Sequence, residues 1–311
     1  MKVIHTATEL AADRKVCLAL GVFDGVHLGH QQIIRQTIAD ALQQDGLPLV
    51  VTFDAHPATV VAPDHVPPQI YSRPQKLRAI AALGAAALLE IHFDLAFSRQ
   101  PGEQFIRGLA RDLRQLRSIC VGADFVFGHQ RQGNVPLLQT LGRELGFSVH
   151  GMAALALDGK TVSSTRIRQA IAAGDFDAAS QMLGRAYAIA GTVVTGDRLG
   201  RQMGFPTANL DVTGRVLPPH GVYAAQVRVG EAQHHAVVNV GRRPTVQNPT
   251  PATRVEAHLL DFSGDLYGQE IEVTFAVRLR AEQKFASLAE LQAQITRDIA
   301  AAKAFFAGTG G

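Results

Sequence analysis

The sequence predicts two consecutive folds: an α/β half built on a parallel sheet, then a small antiparallel β-barrel with a C-terminal helix. Three observations carry this. Up to about residue 155, unbroken apolar strands alternate with helical patterns. From Tyr187 the apolar period switches to two, with no helical pattern between the strands. After Ser287 a helical stripe returns. Unbroken apolar strands separated by helices mean a sheet covered on both faces, whereas short alternating strands in series suit a barrel.

In the first half the strands are read at 16–23, 47–53, 86–91, 119–122 and 147–155. Helices are read at 31–38, with Ile33, Ile34 and Ile38 on one face, and at 104–113, with Phe105, Ile106, Leu109 and Leu113 on one face. Two short helices at 164–173 and 176–183 close this half. In the second half, Ile271, Val273, Phe275, Val277 and Leu279 alternate with polar neighbours, and 221–229, 236–240 and 254–262 also read as strands. Ser287 and Glu290 fit a capping box, and Leu288, Leu291, Ile295 and Ile299 form the stripe expected to be buried. The 308–311 tail reads as disordered. The expected domains are therefore 1–184 and 185–311, which a chain of 311 residues can fill with two cores.

Composition narrows the function. A net charge of +3 comes from scattered basic residues, which suits anionic small molecules rather than nucleic acid. No apolar run is long enough to span a bilayer and no signal-peptide pattern opens the chain, so the expectation is a cytoplasmic protein without membrane partners. Cys17 and Cys120 fall in predicted buried strands and read as reduced packing residues. No oligomeric state is read from the sequence.

The densest chemistry lies in Gly21-Val-Phe-Asp-Gly-Val-His27-Leu-Gly-His30, between an apolar strand and a helix. Glycines there let backbone amides approach a ligand, and a helix N-terminus adds unpaired N–H groups and the positive dipole end. His27 and His30 alone fit a structural pair, metal ligands or anion donors; no further ligands at zinc spacing accompany them. Company raises the phosphate reading. Thr52-Phe-Asp-Ala-His56-Pro and Val121-Gly-Ala-Asp124-Phe125-Val-Phe-Gly end later strands at the sheet edge where ligands of parallel sheets bind. Ser163-Ser164-Thr165-Arg-Ile-Arg168 opens another helix with hydroxyls and arginine. Gly159-Lys160-Thr161 imitates the end of a P-loop, but Ala154 stands where its first glycine belongs.

The His-Leu-Gly-His and Ser-Ser-Thr-Arg-Ile-Arg elements resemble the nucleotidylyltransferase superfamily. The longer blocks resemble the bacterial bifunctional riboflavin kinase/FAD synthetase family. The resemblance implies a Rossmann-like first domain that transfers AMP from ATP to FMN, giving FAD and pyrophosphate. It implies ATP phosphates on His27 and His30, the β/γ end on Arg168, and nucleotide contacts from Gly21, Phe23, Asp24, Gly29, His56, Ser164 and Thr165. Asp124 and Phe125 would lie near the flavin. A phosphate acceptor is already anionic, so this step needs positioning and charge stabilisation, not a base. Departures from the family pattern are Val22, where asparagine is frequent, and Tyr71-Ser-Arg-Pro before Lys76, where threonines are usual.

The second half opens on a glycine-punctuated loop, Gly196-Asp-Arg-Leu-Gly200-Arg201-Gln-Met-Gly204-Phe205-Pro206-Thr207-Ala-Asn209. In extended chain Thr207 and Asn209 point to one side, where their oxygens can share a magnesium ion with ATP phosphates. Glu256 alternates with Val255 and Ala257 on a strand, sharing a face with His258. This half resembles riboflavin kinase throughout, including Asn239-Val-Gly-Arg-Arg-Pro-Thr245 and a flavin-covering segment at 279–285. That resemblance implies Glu256 as catalytic base, with riboflavin and ATP as substrates and Mg2+ accompanying ATP. A neutral hydroxyl nucleophile gives such a carboxylate work to do. Two rival readings remain open here: an adenylyltransferase for another phosphate with a passive flavin-binding barrel, and a flavin or nucleotide sensor without turnover.

Overall fold

The structure, a computed structural model, describes residues 1–11, 13–196, 199–242 and 253–308. Asp197 and Arg198 of the glycine loop, residues 243–245 of the Asn239 motif and the 309–311 tail lie outside the described residues. The chain divides into two compact units, Met1–Pro68 with Arg73–Ser164, and Gln69–Ser72 with Thr165–Gly311.

The first unit is a parallel sheet of six strands: β1 Lys2–Ile4, β2 Val16–Leu20, β3 Leu47–Phe53, β4 Ala87–Ile91, β5 Leu116–Gly122 and β6 Ser148–Met152, ordered β1-β4-β3-β2-β5-β6. Period two along β2 feeds both faces. Val16, Leu18 and Leu20 join Ile106, Leu109, Leu113 and Leu138 on one side, while Ala19 joins Ile33, Ile34 and Ile80 on the other. The expected helix faces at 31–38 and 104–113 are therefore core, within helices Leu28–Gln43 and Gly102–Leu113. Strand order reverses at β2, with β3 on one side and β5 on the other. That reversal opens a crevice at the carboxyl ends of these strands.

The expected strand at 16–23 stops at Leu20. Phe23 (φ 54°), Gly25 (φ 77°) and Val26 (φ 41°) are left-handed, a backbone form that no strand accommodates. The expected strand at 147–155 is only Ser148–Met152, an edge strand with Ser148 and Gly151 exposed and the rest half-buried. β1 is too short to announce itself by pattern. A two-stranded ribbon, β7 Ala156–Leu157 and β8 Lys160–Thr161, carries the false P-loop.

In the second unit six antiparallel strands close a barrel: β9 Ala188–Val194, β10 Ala208–Asp211, β11 Gly221–Val229, β12 Ala232–Arg242, β13 Thr253–Leu259 and β14 Glu270–Ala281. Around the cylinder they run β10-β13-β12-β11-β14-β9. Helices Ser164–Ala173 and Phe176–Leu183 form over the residues expected. All of the second helix and the first from Thr165 belong by contact to this unit, because the Phe176 ring stacks on Tyr187 and Phe275.

The C-terminal helix, Leu288–Gly308, differs from expectation along its stripe. The Ser287 hydroxyl accepts from the Glu290 amide (3.2 Å), but the Glu290 carboxylate accepts from Ala286 N–H rather than from Ser287 (3.1 Å). Leu288 is 67% exposed, and Leu291, Ile295 and Ile299 are half-buried. Only Ile299 reaches the cluster of Ala302, Phe305, Phe306 and Val222 on the barrel wall. The first turns overhang a cavity instead.

Candidate active sites

At the crevice of the first unit, the turn after β2 is held in shape from several directions. The Gln31 amide donates to Val26 O (3.0 Å). The Thr52 hydroxyl donates to Val22 O (3.1 Å), and the Lys76 ammonium donates to Phe53 O (3.0 Å) and Thr52 Oγ1 (3.4 Å). Burial lowers the Lys76 pKa, against the opposing pull of Glu90 and Asp24. Lys76 thus fastens its own helix, Arg73–Ala82, to the end of β3, and Thr52 fastens β3 to the turn. Glu90 at the end of β4 is itself paired bidentately by Arg73.

The two histidines are brought together. His27 caps the helix Leu28–Gln43, its Nδ1 accepting from His30 N–H (3.4 Å), and the rings stack with centroids 3.6 Å apart. His30 also meets the edge of Phe23 (5.3 Å). With Nδ1 accepting, a neutral His27 carries its proton on Nε2 and can donate from there. Gly21 lies against the Phe23 ring and Gly29 against the His27 ring, so a side chain at either position would press on the pair. The Ser164 hydroxyl donates to Asp24 O (3.1 Å), which joins the start of the Ser164–Ala173 helix to the same turn.

The remaining first-site residues divide. His56 Nδ1 accepts from Ala58 N–H (3.1 Å), a local cap at the end of β3. Asp124 is exposed, and Phe125 is half-buried, stacking on Phe127 (5.5 Å) and packing onto the core. Thr165, exposed, and Arg168, half-buried, belong to the second unit.

In the second unit, register does the assembly. Asn209 on β10 is the direct partner of Glu256 on β13, and Glu256 is the direct partner of Asn239 on β12. Directly opposed residues present side chains to the same face, so the three form one row. Val255 and Ala257 point the other way and are fully buried.

Two cavities meet at this row. One, about 530 Å³, is lined by Gly196, Arg201, Pro206, Thr207, Asn209 and the 262–267 segment. The other, about 370 Å³, lies under the start of the C-terminal helix and is lined by Gly200, Phe205, Thr207, Asn209, Asn239 and Glu256 among others. Both volumes suit small molecules, whose sites span about 300–1,000 Å³. Thr207 and Asn209 border both cavities; Glu256 borders only the smaller.

Local contacts set these positions. His258 Nδ1 pairs with Pro206 O (2.8 Å), and its ring meets Phe205 edge-on (5.9 Å). A Cβ on Gly196 would strike the Asn209 amide, and one on Gly200 would strike Phe205 O. Gly204 has φ +84° and makes the turn before Phe205. Arg254 Nη1 stands 3.6 Å from Glu256 Oε1.

Several lining residues were not legible in the sequence. Arg254 and Met203 carried no signal. The 263–268 stretch reads as a turn that includes the Leu-Tyr-Gly of the riboflavin kinase resemblance, and its residues 263–267 border the larger cavity. Of the 279–285 segment, Arg280, Glu282, Gln283 and Phe285 reach the smaller cavity, joined by Leu288, Leu291 and Ile295 from the unburied stripe. Arg280 is held by Asp298 through both carboxylate oxygens (2.8–3.0 Å).

Comparison with known proteins decides what this pair of sites belongs to. Residues 9–166 match the FAD synthetase family and residues 183–306 match the riboflavin kinase family. A bifunctional riboflavin kinase/FMN adenylyltransferase of Escherichia coli K12 is 40% identical over 314 residues, covering 98% of each chain. The chain belongs to the bifunctional riboflavin kinase/FMN adenylyltransferase family. A Haemophilus influenzae protein of the same description is 36% identical, with 97% of each chain covered. A crystal structure described as a macrolide-efflux protein from Streptococcus pneumoniae is 27% identical and superposes with a TM-score of 0.81 over 97% of this chain and 98% of that one. Among the described residues here, no helix is long and apolar enough to cross a membrane. The FAD synthetase match ends within the helix that begins at Ser164.

Proposed function

We propose that this bifunctional enzyme, which phosphorylates riboflavin to FMN and adenylylates FMN to FAD, divides the work between residues 1–184 and 185–311. The kinase reaction belongs to the barrel and adenylyl transfer to the crevice carrying His27 and His30. The observation that carries the reading is that Asn209 borders both cavities while its cross-strand partner Glu256 faces one of them, because phosphoryl transfer needs the γ-phosphate and the acceptor hydroxyl held together with a base beside that hydroxyl.

In the barrel, ATP takes the larger cavity with its phosphates toward Gly196, Arg201 and Thr207, and riboflavin takes the smaller. The 5′-hydroxyl of the ribityl chain lies at Glu256. Its oxygen bonds to the γ-phosphorus as the bridging bond to the β-phosphate breaks, and Glu256 accepts its proton. ADP leaves. His258 keeps Pro206, and so Thr207, at its station beside the base.

Mg2+ fits Thr207 and Asn209, whose side chains are neutral oxygen donors on the wall shared by the cavities. Such an ion takes few protein oxygens and completes its shell from phosphates and water. When bound it neutralises charge on the phosphates during transfer. Its presence with ATP at both reactions is part of this proposal, as is a cytoplasmic setting in which the two free, buried cysteines stay reduced.

In the crevice, a phosphate oxygen of FMN bonds to the α-phosphorus of ATP and pyrophosphate departs. No proton must be removed. The residues proposed for it are donors: His27 and His30 for the phosphates, Ser164 and Thr165 at the helix start, and Arg168 for the β/γ end. Gly21, Phe23, Asp24, Gly29 and His56 shape the nucleotide side, and Asp124 and Phe125 the flavin side.

The test supplies purified chain with riboflavin and ATP, with magnesium or with a chelator, and resolves flavins by chromatography. FMN followed by FAD is expected with the ion and neither flavin nucleotide without it. Turnover undiminished by the chelator removes the metal from Thr207 and Asn209. FMN without FAD removes the adenylyl-transfer assignment.

A further inference from the structure

We propose that Asn239 binds the secondary hydroxyls of the acceptor's polyol chain and makes the kinase site specific for them. The inference rests on Glu256 acting as the base, and its argument is one of direction. Asn209, Glu256 and Asn239 are direct partners across β10, β13 and β12. Neighbouring strands stand about 4.8 Å apart, so the row spans roughly twice that. Asn209 borders both cavities, whereas Glu256 and Asn239 line the smaller one and not the larger. The row therefore runs from the phosphate-donor side into the acceptor cavity.

A terminal hydroxyl held at Glu256 fixes where the rest of its chain can go. The Asn209 side is taken by the phosphates that the hydroxyl attacks. The next hydroxyl-bearing carbons extend along the row, to Asn239. Its amide offers two N–H donors and a carbonyl acceptor, which match adjacent hydroxyls that both donate and accept. Gly241, two residues on, has no side chain to cover it. A Cβ there would come to 3.2 Å of Asn239 Nδ2 and 2.5 Å of Glu282 Oε1. Asn239 is half-buried on the same face as Glu256, so a bound polyol shields its hydrogen bonds from water.

A site built to pair hydroxyls rejects an analogue that lacks them, because its own polar groups are then left unmatched. The experiment compares riboflavin with a flavin carrying a 5-hydroxypentyl chain at N10, which keeps the terminal hydroxyl and lacks the three secondary ones. Both are phosphorylated by the full chain with ATP and magnesium. The native enzyme is expected to favour riboflavin at least about tenfold in kcat/KM. Asn239→Leu is expected to lower kcat/KM for riboflavin about tenfold while leaving the hydroxypentyl flavin within twofold, so that the preference collapses.

Equal losses on both flavins, or no loss on either, would overturn the proposal. So would a native enzyme that does not distinguish the two flavins, a result independent of whether the variant folds. Glu256→Gln separates the underlying reading, since it should abolish phosphorylation of both flavins. If that variant keeps native rates, the base assignment fails by itself, whatever Asn239→Leu does.

Discussion

Asn209 and Glu256 are direct cross-strand partners, and the wall between two cavities runs through the first of them. Backbone pairing fixes how far apart the Asn209 amide and the Glu256 carboxylate can be, before either side chain chooses a rotamer. A closed barrel stiffens this further, because every strand of the row is paired on both sides.

The carboxylate should matter to one reaction only. Glu256→Gln keeps the size of the side chain and removes the proton acceptor. FMN formation from riboflavin should fall by about two to four orders of magnitude, while supplied FMN is still converted to FAD at the native rate. Chromatography of both reactions checks it, and a variant phosphorylating normally would remove Glu256 from proton transfer.

His30→Ala should produce the opposite imbalance. The backbone N–H that meets His27 Nδ1 survives the substitution, so the cap is kept while the stacked ring is lost. FAD output should drop about a hundredfold, the size seen when one charge-stabilising donor is removed, and FMN should accumulate. Circular dichroism must match the native chain. Undiminished FAD synthesis would contradict the role.

Gly196→Ala tests the position of Asn209 without changing that side chain. The added methyl displaces the Asn209 amide. A shift of about 1 Å in such a group can cost on the order of a hundredfold in rate. Riboflavin phosphorylation should fall accordingly and respond to higher magnesium, whereas adenylylation of FMN should not change. A native kinase rate in this variant would mean that Asn209 does not need its present place.

Cys120 should be chemically silent in the native chain. It is fully buried beneath the helix Leu28–Gln43, its thiol 3.5 Å from Asp40 Oδ2. Burial, aided by the Asp40 charge, pushes its pKa up to about 12. The folded pKa exceeds the unfolded one, so its stabilising effect is complete below about pH 9 and declines as pH rises toward 12. Mass spectrometry after iodoacetamide should find Cys120 modified only in denatured chain. The urea midpoint should fall less steeply above pH 9 in Cys120→Ala than in the native protein.

The sequence revealed what period and spacing can carry. Two-sided apolar strands announced β2, β3 and β5, and strict alternation announced β14 and put Glu256 and His258 on one face. What it could not carry is which distant strands become neighbours. Asn239 sits in a recognisable motif, but only the pairing of β12 with β13 makes it a neighbour of Glu256. The stripe on the C-terminal helix failed for a related reason. Leu288, Leu291 and Ile295 have the spacing of core residues, and nothing local says that a cavity, not a wall, lies beneath them. Lys76 likewise has no pattern that marks its role, which comes from its ammonium donating to Phe53 O and Thr52 Oγ1, residues more than twenty positions away.

Strand β13 alternates without a bulge from Val255 to Leu259, each residue matched to one partner on β12. Its register therefore decides which side chain faces the smaller cavity. Deleting a single codon upstream of Glu256 within this strand would swing the acid into the oily interior and turn an aliphatic neighbour toward the smaller cavity. Lengthening the 263–268 turn by one residue would leave that register untouched. Tolerance to insertions and deletions should thus follow parity along this strand more closely than distance from the reacting atoms.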